Sequence, residues 1–203
     1  MIEIQPQTAE ERLRRAMTES WDILCQRIAT DRVVINKEAS LQLQYASLLQ
    51  SQGEILCIGP TETFSIELES EREGKSIDIT CSLGGVRGAV ELKCFRKRSN
   101  RAADIDMYDV LRDLNRLLSF PEFTVRRFIC LTDNPYYCNA AHTGHAGIVS
   151  TKDGRVLEAG SSVDPSWAGK WKDKTRDTSL RFGKKIRLEW SHYRGWYALS
   201  IDL

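Results

Sequence analysis

"GAVELKCFRK", residues 88–97, is the stretch on which the reading of the whole chain turns. It reads as a strand, with apolar bulk from Ala89, Val90, Leu92, Cys94 and Phe95, yet Glu91 and Lys93 pass through its middle. Burying a charge is costly unless it is paired or bound to an ion. Two charges on one strand therefore leave two readings, an ion pair at a sheet edge or a metal site. Residues two apart on a strand project from one face, so Glu91 and Lys93 point the same way and a neighbouring strand can bring a third group to them.

The residues just before supply that neighbour. "ETFSIELES" alternates Phe64, Ile66 and Leu68, "EREGK" turns, and "SIDITCSL" alternates Ile77 and Ile79 before Gly84 and Gly85 lead into the quoted strand. Asp78, between the two isoleucines, is separated from Glu91 by a glycine-bearing turn of hairpin length. Two carboxylates converging beside an ammonium make a hard-oxygen site for Mg²⁺, with Mn²⁺ as a substitute, and the lysine orients water or stabilises a phosphate oxyanion. That chemistry is phosphodiester hydrolysis. The chain's other acid-x-lysine triplet, Glu73-Gly-Lys75, falls in the turn.

Helices flank these strands. Thr8 and Glu11 form a capping box, and Leu13, Met17, Trp21, Leu24 and Ile28 recur at helical spacing, which predicts a helix over 8–30. A second helix is predicted from near Asn36 to about Gln50, ended by Gly53, with Leu41, Tyr45, Leu48 and Leu49 on its buried face. After the strands, Met107, Val110, Leu111, Leu114, Leu117 and Leu118 line one face of a third helix that Pro121 stops, and "TVRRFICLT" is a fourth strand. From Asp133 the chain is loop-rich to about Ser179, then "KKIRLEW" and "GWYALSIDL" read as a closing hairpin. The expected class is α/β (α+β), a mixed sheet covered by helices whose crossover helix makes the last pairing parallel. The 203 residues carry no Pro-, Gly- or Ser-rich linker, so one domain over 1–203 is expected. Its parts are the N-terminal helix at 8–30, a core at about 36–132 and a C-terminal β extension at 133–203, with a small subdomain as the alternative for the last.

The 29 basic and 28 acidic residues nearly cancel, so no global field announces nucleic acid or a membrane, and a polyanion must meet a local patch. The N-terminal stretch "MIEIQPQTAEERLRRAMTES" is charged throughout and holds no apolar segment, which leads to the expectation of a cytoplasmic protein without a membrane partner. Six cysteines without a CxxC pair, Cys25, Cys57, Cys94 and Cys130 among apolar neighbours, read as reduced thiols filling a core.

The order helix, three strands, helix, strand, with Asp78 on the second strand and Glu91-x-Lys93 on the third, resembles the restriction-endonuclease-like superfamily, PD-(D/E)XK, over roughly residues 36–132. The resemblance implies Asp78 and Glu91 as Mg²⁺ ligands and Lys93 as the water-orienting base or charge stabiliser. Ile77 stands where the family often has a proline before its aspartate. Many members also carry a metal-reaching glutamate on the first core helix, and Glu38, which shares a helical face with Leu41, Gln42 and Tyr45, is the counterpart.

Three further groups complete the reading. Arg96, Lys97, Arg98 and Arg101 in "FRKRSNR" follow the charged strand closely enough to grip DNA phosphates, or form a solvated loop. Cys138, His142 and His145 in "CNAAHTGH" are spaced loosely like zinc ligands but lack a clear fourth, so a loop with satisfied histidines is the preferred reading. Trp190 and Trp196 fit core-facing strand positions, while Trp167 and Trp171 in "SWAGKWKDK" suit a partner-contacting loop. Two function classes follow. One is an Mg²⁺-dependent DNA nuclease of a defence, restriction or repair system, its specificity supplied by a protein partner. The other is a non-catalytic member of the same fold that binds or assembles within a larger complex. A homodimer is compatible with either.

Overall fold

The structure is a computed structural model that describes residues 7–72, 74–99, 101–164 and 179–203. The tryptophan pair Trp167 and Trp171 lies outside the described residues.

Helix α1, Ala9–Ala29, starts where its capping box says it should. The Glu11 backbone N–H donates to the Thr8 hydroxyl at 3.2 Å and the Thr8 N–H donates to the Glu11 carboxylate at 2.8 Å. Leu13, Met17 and Leu24 are fully buried, and Trp21 and Ile28 nearly so. Helix α2, Glu38–Ile55, buries Leu41, Tyr45, Leu48 and Leu49, and the Tyr45 hydroxyl donates to the Met17 carbonyl at 3.1 Å. The helix does not stop at Gly53. A Cβ there would lie 2.4 Å from the Phe64 ring, so this glycine serves a close helix–strand approach rather than a C-cap.

Three strands follow, β1 Phe64–Arg72, β2 Lys75–Leu83 and β3 Val86–Phe95, paired antiparallel in chain order. The β2–β3 turn uses Gly84 and Gly85 at φ +56° and +84°, left-handed values that glycine adopts without strain. Helix α3, Ala103–Leu118, connects β3 to β4, Val125–Thr132, which lies next to β3 in the sheet. It buries Met107, Tyr108, Val110, Leu111, Leu114 and Leu117, whereas Leu118, expected on the same face, is only half-buried.

The last third holds short helices α4, Tyr136–Asn139, and α5, Gly144–Ile148, and the strands β5 Val156–Leu157, β6 Ser162–Val163, β7 Leu180–Arg181, β8 Ile186–Arg187, β9 Trp190–Tyr193 and β10 Trp196–Asp202. "KKIRLEW" is not one hairpin arm. Ile186–Arg187 pairs with β5, and the closing hairpin is β9–β10, turning at Arg194 and Gly195 with φ 46° and 87°. This hairpin joins the main sheet, whose order is β1-β2-β3-β4-β10-β9. The architecture is thus mixed α/β around a six-stranded sheet. The chain divides into two compact units, one comprising the described residues up to Glu91 with Pro121–Arg127, the other Leu92–Phe120 with Phe128–Leu203. Among the described residues no helix is long and apolar enough to cross a membrane.

Candidate functional site

In the first unit, the β2–β3 register runs from Leu83↔Val86 to Ile79↔Val90. One step further along the same register sets Asp78 opposite Glu91, and residues directly opposite each other share a face. Glu91 is fully buried and Asp78 half-buried. The other face of these strands is apolar, with Ile77, Ile79, Cys81 and Val90 buried and Gly88 letting Met17 approach to 2.5 Å of its missing Cβ. Like charges opposed on one face disfavour each other unless a cation lies between them.

The backbone around Asp78 is specialised. The β1–β2 ladder passes from Leu68↔Ile79 to Ser70↔Ile77 and steps over Glu69 and Asp78. Glu69 has φ 54°, a left-handed conformation that costs a non-glycine residue roughly 1–3 kcal/mol and persists only where its surroundings impose it. Those surroundings are visible. The Gln42 amide donates to Glu69 Oε1 at 2.7 Å and to the Asp78 carbonyl at 2.8 Å, and the Ser76 hydroxyl donates to Glu69 Oε2 at 2.9 Å. Helix α2 thereby holds the main chain of Asp78. Glu38 stands one turn before Gln42 on α2 and is half-buried. Among the described residues no three His, Cys, Asp or Glu side chains gather closely enough to hold a metal ion, so Glu38, Asp78 and Glu91 do not form a closed three-carboxylate set.

In the second unit, Lys93 has a defined anion. Its Nζ lies 2.9 Å from Asp113 Oδ2 on α3 and donates to the Leu92 carbonyl at 3.0 Å. Asp113 is 1% exposed and also faces Arg112 and Arg116 at 3.6 and 3.5 Å. It ends a row of buried carboxylates, Asp106, Asp109 and Asp113, along α3. Arg101 pairs with the first two, and the Tyr137 hydroxyl donates to Asp106 at 2.7 Å. Burial pushes the Asp106 carboxyl up from its ordinary value, against the opposing pull of Tyr137 and Arg101.

The basic stretch is divided. Arg96 pairs with Asp133 at 2.9 Å and covers the Trp196 ring at 4.6 Å, and Arg101 is held by the α3 carboxylates, whereas Lys97 and Arg98 are exposed. Trp196 and Trp190 are half-buried rather than core-facing, the first under Arg96 and the second donating its indole N–H to the Thr151 carbonyl at 2.8 Å. In the histidine loop, His142 Nε2 donates to the Tyr136 carbonyl at 2.8 Å, which leaves Nδ1 to accept from the Ser150 hydroxyl at 2.5 Å. Cys138 is buried, and that burial pushes its thiol up to about 12, far from the thiolate a metal needs.

Compared with protein-family models, with curated proteins and with solved structures, the chain matches none of them. The roles of three residues around these carboxylates are not given by the sequence. Gln42 carried a signal, being one helical turn beyond Glu38. Asp113 carried one too, since 106, 109 and 113 follow helical spacing on a helix whose other stripe is apolar. Glu69 carried none, because a left-handed glutamate leaves no mark in the sequence.

Proposed function

We propose that the protein hydrolyses DNA phosphodiester bonds in the cytoplasm with Mg²⁺ as cofactor, in the manner of the restriction-endonuclease-like proteins it resembles. One observation carries the reading, the β2–β3 register, which one step beyond Ile79↔Val90 brings Asp78 opposite the fully buried Glu91, where the β1–β2 ladder steps over Asp78. Mg²⁺ is commonly bound through one or two carboxylates, with waters and substrate phosphate completing its shell. Two opposed carboxylates fit that requirement without a third protein ligand, and Glu38 is the further ligand that the resemblance implies. Bound there, the ion would supply charge neutralisation at the reacting phosphate and a more acidic water. Asp78 and Glu91 would hold it, Gln42 fixes the Asp78 backbone, and Lys93, two residues along β3 from Glu91, is the residue to which the resemblance gives the role of orienting the attacking water. Lys97 and Arg98, both exposed, attract the DNA backbone, while Arg96 and Arg101 stiffen the loop that carries them.

A specific observation favours the second reading, a non-catalytic subunit of the same fold. Lys93 is engaged by the buried Asp113, which occupies the ammonium that hydrolysis needs. Cleavage of plasmid and single-stranded DNA with Mg²⁺ or Mn²⁺ separates the two. Asp78→Ala and Glu91→Ala abolish cutting in the nuclease reading, and Lys93→Ala lowers it by roughly 10² to 10⁴. A folded Glu91→Ala protein that cuts as fast as wild type removes the site. A wild type that neither cuts nor binds Mn²⁺ leaves the binding subunit.

A further inference from the structure

The left-handed turn at Glu69 has a second effect, on the side chains that follow it. Strand alternation places Ser65 and Glu67 on the same face as Thr80 and Ser82, their register partners being Ser82 and Thr80. The Ser65 and Ser82 hydroxyls meet at 2.8 Å there. Beyond Glu69 the alternation is broken. The Ser70 hydroxyl comes to the Thr80 hydroxyl at 2.8 Å, and Arg72 turns onto this face, where it approaches Glu67 at 3.8 Å. Arg87 on β3 completes the set, its guanidinium 4.7 Å from the Phe123 ring centroid. A cavity of about 340 Å³ is lined by Ser65, Glu67, Arg72, Thr80, Ser82 and Arg87.

The position of this cavity gives it meaning. Arg87 precedes Glu91 by four residues on β3, and Thr80 follows Asp78 by two on β2, so cavity and carboxylates lie along one face of one hairpin. At about 3.3 Å per residue, Arg87 stands about 13 Å from Glu91, the axial rise of about four nucleotides of one strand. Two guanidiniums, with the O–H that the Ser65–Ser82 pair leaves over, offer donors suited to phosphate oxygens, whereas Glu67, mostly in solvent, offsets only part of their charge. We infer that this groove binds a backbone phosphate of the DNA strand flanking the cleaved bond, independently of base sequence. The inference rests on the nuclease reading for the identity of its ligand, and the strained Glu69, held by Gln42 and Ser76, is the device that brings Arg72 to the groove.

The experiment is fluorescence anisotropy of a labelled DNA duplex in EDTA, over a series of salt concentrations, for wild type, Arg72→Gln and Arg87→Gln. Arg15→Gln, which removes an exposed arginine on α1, is the control, and circular dichroism checks each fold. Each groove variant is expected to flatten the dependence of log affinity on log salt by about one and to weaken unrelated sequences equally, with the control unchanged. Unchanged slopes in both groove variants, or no duplex binding by wild type, overturn the inference. Inorganic phosphate that displaces the duplex at submillimolar concentration also overturns it, in favour of a small-anion pocket. Flattened slopes in a protein that neither cuts DNA nor binds Mn²⁺ sustain the groove and remove the nuclease reading; unchanged slopes in an active nuclease do the opposite.

Discussion

The two faces of the β2–β3 hairpin are built from alternate residues of the same short strands and do different things. One face buries Ile77, Ile79, Cys81 and Val90, and Met17 of α1 comes so close that Gly88 has no room for a side chain. The other carries Asp78, Thr80, Ser82, Arg87 and Glu91, with hydroxyl pairs, a cavity and a backbone held in a strained conformation. The first face lowers the free energy of the fold through apolar burial, whereas the second buries polar groups such as Glu91 and Thr80, whose burial is costly unless they are paired or bound. Under the proposed function, stability and chemistry are thus separated by a single residue step along each strand.

The largest effect expected from this division is on stability. Ile79→Ala should cost roughly 2–5 kcal/mol in urea unfolding, because it removes buried methylenes and leaves a cavity, whereas Ser82→Ala should stay within about 0.5 kcal/mol. Equal losses from the two substitutions would break the comparison.

A similar magnitude is expected further along β3. Asp113→Ala leaves Lys93 and two arginines around an empty buried position, a change that typically costs about 3 kcal/mol. Combining Lys93→Met with Asp113→Leu should recover much of that loss, because the pair is replaced by apolar volume. A double variant no more stable than Asp113→Ala would mean that the pairing with Lys93 is not what Asp113 contributes.

The smallest effect concerns a closed ion pair elsewhere in the first unit. Glu62 receives two guanidinium bonds from Arg12 at 2.7 Å, and the N–H groups of Gly59 and Ile58 add to them. These donors, Arg12 first, hold its carboxyl down to about 2. A carboxyl lowered by folding contributes stability that is full above its ordinary pKa of about 4.3 and is lost as pH falls through the folded value. The stability advantage of wild type over Glu62→Gln should therefore shrink between about pH 5 and about pH 2. An advantage that does not change over that interval contradicts the assignment.

Much of this was readable from residues alone, for stated reasons. The Thr8–Glu11 box, the alternation of Ile77 and Ile79 and the Gly84-Gly85 turn are local signals, and the elements they predict form where predicted. Gly53 misled because its reason lies across space, in the Phe64 ring, rather than along the helix. "KKIRLEW" misled because its two halves find different partners, Ile186–Arg187 in β5 and Trp190 in β10. Asp78 and Glu91 were legible as charges inside apolar strands, which sequence displays directly. The partner that Asp113 makes for Lys93, and the turn at Glu69 that redirects Arg72, depend on tertiary placement that no spacing encodes.

The most direct test of the account is the location of a metal. In crystals soaked with Mn²⁺, the expected result is an anomalous peak within coordination distance of carboxylate oxygens from both Asp78 and Glu91, absent from the Glu91→Gln protein under the same soak. A soaked crystal with no peak between those two residues, or a peak that persists unchanged in Glu91→Gln, would contradict it.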